Sequence, residues 1–413
     1  MPEQVVGIFV CIAHGHIVGE RRGGAPGEPP VSGGLSDMAI YTAFSGFARM
    51  SWLPNQPDGQ LSREIMEKSE AVKWHRSLVR MWFGATAQYG PVFYLPDVGA
   101  YWFGRAAGMR VDATLRVARA VNSLAFVLLA VIALARARRT RFLMAAVLML
   151  PMTLVLAASA NQDAGMIGVM ALVVAQADRI ADTGRSPGRG ELLLMGLGLA
   201  CVAMGRPAYA ALALLLVACA PNRWGLVVAV FIAGLVAAWS TIVAVWVMQP
   251  GVWAHPGAQL AGLIMHMAAI LRIVGETLRL SLGDYGWQFV GQLSWSDVPL
   301  PSVYVRLVVA CLLVTAIASS YGKAFFPWAV AAAAGLTITG VFGLLYANWT
   351  PFGLGQVMGV EGRHFVALVV ALALPNLRWA RWFHVPGCGA LAAMGVVTPV
   401  VVVHHFVSHF YIR

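Results

Sequence analysis

A carboxylate, two arginines and a histidine stand at breaks in otherwise apolar sequence, and each has a defined chemistry. Asp163 closes the polar corner Asn161-Gln162-Asp163 between two apolar runs. An aspartate there can deprotonate or orient a hydroxyl, or serve as a metal ligand. Its plain alternative is to cap the helix that follows. Asn161 joins it as a candidate contact to the same ligand. Arg206 interrupts a further apolar run at Gly205-Arg206-Pro207, and Arg363 belongs to Gly359-Val360-Glu361-Gly362-Arg363-His364. Arginine's planar fork suits phosphate oxygens, whether of a carrier lipid or an ordinary phospholipid. Arg206 could instead snorkel to headgroups, and Arg363 could pair with Glu361 inside its own loop. Gly359 and Gly362 would let backbone approach a ligand closely, with Glu361 and His364 crowding polar groups beside them. Trp295 and Asp297, with Asp284, could line an acceptor groove, since aromatic faces stack on sugars and carboxylates bind hydroxyls. A Trp anchoring its loop at a membrane interface is the alternative.

These groups have to be positioned by a chain that is 59% hydrophobic and 11% charged, with a mean hydropathy of +0.72. No water-soluble globule of this size needs such values, so a membrane is the expected solvent. Apolar blocks run over residues 114–135, 142–160, 164–178, 191–220, 225–248, 302–320, 324–346, 364–377 and 386–405. Most approach the roughly 20 residues that cross a bilayer as a helix. Alternation of period two is absent, which selects helices over a barrel. The expected fold is an all-α polytopic bundle of about ten crossings, with block 191–220 crossing as two halves that meet at Arg206.

Arginine then orients the bundle. Arg136, Arg138, Arg139 and Arg141 form one joint, Arg179, Arg185 and Arg189 the next, and Arg223, Lys323, Arg378 and Arg381 mark others. Placing these in the cytoplasm satisfies the positive-inside rule and turns the Asp163, Arg206 and Arg363 joints outward. The expected layout is an outer-face N-terminal region over 1–113, a first bundle over 114–248, an outer loop over 249–301 and a second bundle over 302–413. In the first region Val5–Ala13 is too short to span, 62–86 reads as an exposed helix, and the aromatics of Tyr89–Gly108 suit an interface. In the outer loop Leu263, Met267, Ile270, Leu271 and Val274 follow helical spacing opposite Arg272, Glu276 and Arg279, as a helix lying on the membrane would.

The net charge of +11 is dispersed among helix ends and carries no folded basic domain, so nucleic acid is set aside as a partner. Five cysteines without a CxxC give neither a disulfide framework nor a structural zinc site. His404, His405 and His409 read as a solvated terminal cluster rather than a metal site.

Five fragments carry a resemblance: Tyr89-Gly90-Pro91-Val92-Phe93-Tyr94-Leu95-Pro96, Ala158-Ser159-Ala160-Asn161-Gln162-Asp163 after Leu150-Pro151, Gly205-Arg206-Pro207-Ala208-Tyr209, Gly291-Gln292-Leu293-Ser294-Trp295-Ser296-Asp297, and Gly359-Val360-Glu361-Gly362-Arg363-His364-Phe365. In this order they resemble the DUF2142 family of bacterial membrane proteins, which is similar to the GT-C superfamily of membrane glycosyltransferases. The resemblance implies a GT-C-like bundle in the bacterial cytoplasmic membrane. By analogy of fold alone it suggests transfer of a sugar from a polyprenyl phosphate carrier to a glycan or glycolipid acceptor on the outer face. The cofactor stays open, a divalent metal being one candidate. Asp163 matches a second acidic position of some such enzymes, and Arg206 and Arg363 would hold the departing phosphate.

Two departures from the family pattern matter. Glutamine and tyrosine stand in the family where this chain has Glu361 and His364. The pattern also opens with a membrane helix and an Asp-Glu pair, the place of the principal catalytic carboxylate; here only Pro2-Glu3-Gln4 stands near it, and Glu3 and Glu20 are the substitutes on offer. A transporter or lipid flippase, and a noncatalytic or N-terminally truncated relative, therefore remain beside the transferase reading.

Overall fold

A computed structural model describes residues 2–23, 31–47, 61–75, 77–84, 86–251, 253–293, 298–321, 325–372, 374–375 and 380–411. The chain is mostly helical. It opens with α1 (Pro2–Ala13), β1 (Glu20–Arg22), β2 (Val31–Asp37), α2 (Met38–Phe44), α3 (Arg63–Ala71), β3 (Leu78–Trp82) and α4 (Leu95–Ala106). The strands form an antiparallel sheet in the order β1-β2-β3, with Leu35 facing Arg80 and Gly33 facing Trp82. This corrects two expectations. The fold is not purely α, and residues 62–86 are a nine-residue helix followed by a strand.

Phe9, Ile40, Phe83, Tyr94 and Tyr101 are buried together beneath this sheet, and Val243 and Val247 close the cluster from the end of a long helix. The aromatic stretch therefore divides. Phe93, Tyr94 and Tyr101 face inward, while Trp102 and Phe103 stay exposed, as interfacial residues would.

The bundle follows as α5 (Val111–Arg136), α6 (Arg141–Leu148), α7 (Pro151–Ala157), α8 (Gln162–Thr183), α9 (Arg189–Gly205), α10 (Leu214–Cys219), α11 (Arg223–Trp246), α12 (Pro256–Met265), α13 (Met267–Val290), α14 (Ser302–Ala318), α15 (Phe325–Asn348), α16 (Val366–Val369) and α17 (His384–Phe410). Helix α5 buries Val111, Thr114, Ala118, Asn122, Phe126, Ala130 and Ala133, one stripe at three- and four-residue spacing. That stripe lies on α8, the central helix, whose Ala164, Met166, Ile167, Met170, Ala171, Val174 and Ala175 are all buried. Small residues on α8 let the neighbouring helices come close.

Among the described residues five helices are long and apolar enough to cross a membrane: Val111–Arg136, Gln162–Thr183, Arg223–Trp246, Pro327–Asn348 and Ala380–Phe410. The remaining apolar blocks are broken. Block 142–160 splits into α6 and α7, because Pro151 cannot continue a helix and holds Leu150 extended. Block 191–220 stops at Gly205 and resumes as a 3-10 turn, Pro207–Ala213, and then α10. Among its described residues block 364–377 holds the 3-10 turn Gly362–Phe365, the four-residue α16 and a two-residue strand, Leu374–Pro375, paired in parallel with Ser320–Tyr321. The expected amphipathic helix of the 249–301 loop is two helices, α12 and α13, parted at His266.

The arginine joint after α5 is tied to the far end of α8. Asp178 Oδ2 accepts the backbone N–H groups of Arg138, Arg139 and Thr140 at 2.7, 2.9 and 3.0 Å, and Arg139 Nε donates to Asp182 at 2.5 Å. Asp163 and Asp178 occupy opposite ends of α8, roughly 22 Å apart at 1.5 Å per residue.

Candidate functional site

The site begins with the corner ahead of α8. Asn122, on the buried stripe of α5, donates from Nδ2 to the carbonyls of Ser159 at 2.7 Å and Asn161 at 3.1 Å. Arg119 Nε and Ser123 Oγ take the carbonyls of Ala158 and Ala157, each at 2.8 Å. One polar edge of α5 thus satisfies a turn of backbone that hydrocarbon could not. The helix cap is Asn161, whose Oδ1 accepts from the Asp163 N–H at 2.8 Å. Asp163 is consequently free of the capping role and aims elsewhere.

It aims at Arg206. The break at Gly205-Arg206-Pro207 leaves Arg206 extended at the end of α9, and its Nη2 donates to Asp163 Oδ1 at 2.7 Å. Each side chain is only 15% exposed, so this pair is largely withdrawn from solvent. The second nitrogen of the fork, Nη1, reaches the Arg363 carbonyl at 3.5 Å. Arg206 is thus a bridge between two joints rather than a side chain reaching to headgroups.

The third joint is the turn Gly362–Phe365. Glu361 precedes it, pairs through its carboxylate with Arg363 Nε, and donates its N–H to His364 Nδ1 at 3.3 Å. Tyr209 Oη donates to the His364 carbonyl at 2.7 Å. Two glycines fix the turn. Gly359 has φ +79°, and a Cβ there would meet Trp349 Cδ1 at 2.6 Å; a Cβ on Gly362 would lie 2.2 Å from the Tyr285 carbonyl of α13. Their close approach is to the protein's own Trp349 and α13, not to an open cavity. Gly362 N also donates to Gln288 Oε1 at 2.9 Å, and Phe365 stacks on Phe342 of α15.

Asp163, Arg206, Glu361, Arg363 and His364 therefore converge from three joints distant in sequence. Their formal charges cancel when His364 is neutral. The turn lies outside the five spanning helices, and there burial, then Arg206 and Arg363, hold the His364 imidazole well below its usual range. Tyr89 lies in the same field: burial raises its hydroxyl, with Arg206, Asp163, Arg363 and Glu361 acting on it as well. Asp163 and Glu361 each face an arginine. Among the described residues no three His, Cys, Asp or Glu side chains gather as a metal site would need, so the donor set does not fit one.

The other candidates are placed elsewhere. Glu20 is on β1, paired with Arg80 and with Arg22 at 3.1 Å, and Arg80's hydrogen bond is the main cause of its lowered pKa. Glu3 lies in the first turn of α1. Asp284 is exposed on α13. Trp295 and Asp297 lie outside the described residues.

Tyr89 reads from sequence only as an interfacial aromatic and Tyr209 was not singled out, although both belong to the quoted fragments. Nor was Gln162, buried beside Gly205, with Oε1 lacking a partner among the described residues.

No curated protein and no solved structure matches the chain. The family described as "Predicted membrane protein (DUF2142)" matches residues 54–372, a stretch that contains every residue of the three-joint cluster. The chain belongs to the DUF2142 family of predicted membrane proteins.

Proposed function

We propose that the chain is a GT-C-like glycosyltransferase of the bacterial cytoplasmic membrane, moving a sugar from a polyprenyl phosphate carrier to a cell-envelope glycan or glycolipid. The observation that carries this reading is the largely enclosed Asp163–Arg206 pair with the Arg363 carbonyl against it. Such a transfer needs a carboxylate to take or orient an acceptor hydroxyl proton, and cations for the departing phosphate. Asp163 fills the first role; Arg206 and Arg363 fill the second. Glu361 is a second acid one arginine away, which favours a working site over a degenerate one. The cluster lies at the end of α8 remote from the Arg138–Asp178 joint, which supports an outward position if that joint is cytoplasmic. About ten crossings then require the short helices α9, α10 and α14, together with segments of the broken blocks, to complete passages that the five long helices begin.

Asp163→Ala and Arg363→Ala, introduced singly into a deletion strain, should each abolish restoration of the missing envelope glycan. Full complementation by both would remove the assignment.

A further inference from the structure

The cluster is already neutral, and this constrains how an anion can enter it. Arg206 is engaged by Asp163 and Arg363 by Glu361, so a phosphate that takes the two guanidinium groups leaves Asp163 unpaired in a poorly solvated place and Glu361 unpaired at its more open edge. A compensating positive charge must arrive with it. His364 is the group placed to receive one.

It lies within the electrostatic reach of both arginines, which oppose its protonation as long as no anion covers them. The other polar groups around the turn are Glu361, Tyr209 of the 3-10 turn after Arg206, Asp163 at the start of α8, Tyr89, and Tyr285 and Gln288 of α13. Asp284 of the same helix acts on Tyr285.

Resting on the transferase reading, we propose that a phosphodiester anion enters this site together with a proton, which His364 takes, so that an imidazolium becomes a third cation beside Arg206 and Arg363. The proton goes to Nδ1, the nitrogen that accepts the Glu361 N–H. Protonation ends that hydrogen bond and frees the N–H to donate to a phosphate oxygen. Glu361, released from Arg363 by the anion, becomes the counter-ion of the imidazolium. Anion and proton add no net charge, so the cluster is neutral before and after.

The sign follows. The free-state pKa of His364 is depressed, by burial first and by the two arginines second, and an anion over the arginines raises it to a higher bound-state value by cancelling the second cause. Binding takes up a proton between those two values and is tighter at lower pH.

The test is calorimetric titration of the full chain in detergent with citronellyl methyl phosphate, a diester that does not titrate near neutrality. Buffers of different ionisation heat report the protons exchanged. Wild type should take up protons on binding the anion at pH values below neutrality, with affinity falling by up to about tenfold per pH unit across that window and level above it. His364→Asn keeps an acceptor for the Glu361 N–H and should lose both uptake and slope, with His364→Gln as the alternative if the first does not fold.

Uptake unchanged in the variant would place the proton on Asp163 or Glu361 and overturn the proposal, as would binding by wild type without uptake. Equal binding of phosphatidylglycerol, with the same uptake, would keep the proton coupling and remove the isoprenoid carrier. A folded wild type that binds no diester at any pH removes the anion site and this inference together.

Discussion

Asn122 and Asn161 meet through a 3.1 Å bond from the Asn122 amide to the Asn161 carbonyl, which hangs the corner bearing Asp163 from the middle of α5. Asn122 is 2% exposed and also takes the Ser159 carbonyl. Asn122→Leu fills similar space but leaves two carbonyls without this donor. It should cost about 1–3 kcal/mol in thermal unfolding and should weaken diester binding with it.

Arg206→Ala strands Asp163 in a nearly closed place and should destabilise the chain by about 3–5 kcal/mol. The double change Asp163→Asn with Arg206→Ala should recover part of that loss. Melting temperatures of the purified variants decide it; equal loss in the single and double variants would contradict a coupled pair.

Asp97 makes a separate forecast. It is fully buried on α4 with neither carboxyl oxygen partnered among the described residues, and burial pushes its pKa up from 3.8 to about 8. The folded chain therefore holds a proton that the unfolded chain releases above about pH 4. Stability should fall as pH rises from there to about 8 and level off beyond, and Asp97→Asn should remove that part of the slope and raise the melting temperature at pH 7. A wild-type and variant pair with parallel pH profiles would refute it.

Gly359→Ala adds a side chain at φ +79° and 2.6 Å from Trp349. The turn that carries Glu361 and Arg363 should shift, with a cost of about 1–2 kcal/mol for the left-handed backbone alone. The measured outcome is weaker diester binding in a protein whose helical circular dichroism is unchanged.

Sidedness is open to direct labelling. In a cysteine-free background, a cysteine at Phe352, an exposed position on the chain leading to the Gly359 turn, should react with an impermeant thiol reagent in intact cells. One at Ser186, exposed beside the arginine joint at the other end of α8, should react only after lysis.

Local signals were legible in the sequence. The proline after Arg206 announced the break of α9, and the two-residue spacing of Glu361 and Arg363 allowed the pair that forms. What spacing could not show was the choice among distant partners. Asp163 and Arg206 are 43 residues apart, and an arginine near headgroups looks the same on paper as one that has found a carboxylate. The strand Leu78–Trp82 was hidden for a similar reason. Its partner β2 lies some forty residues earlier, and only that pairing decides strand over helix for so short a segment. In the sequence the cap of α8 is an alternative role for Asp163, and the geometry gives it to Asn161 instead.

The pairing across α8 and α9 also bears on how the chain is made. At the ends where they pair, α8 carries Asp163 and α9 is followed by Arg206, and either alone would cost on the order of 3 kcal/mol to leave in hydrocarbon during membrane insertion. The two helices are joined by only the short loop 184–188, so Asp163 and Arg206 can meet before either is released to lipid. Biogenesis of this segment should proceed as a preassembled hairpin, with the charged cluster closed during delivery by its own opposite charges.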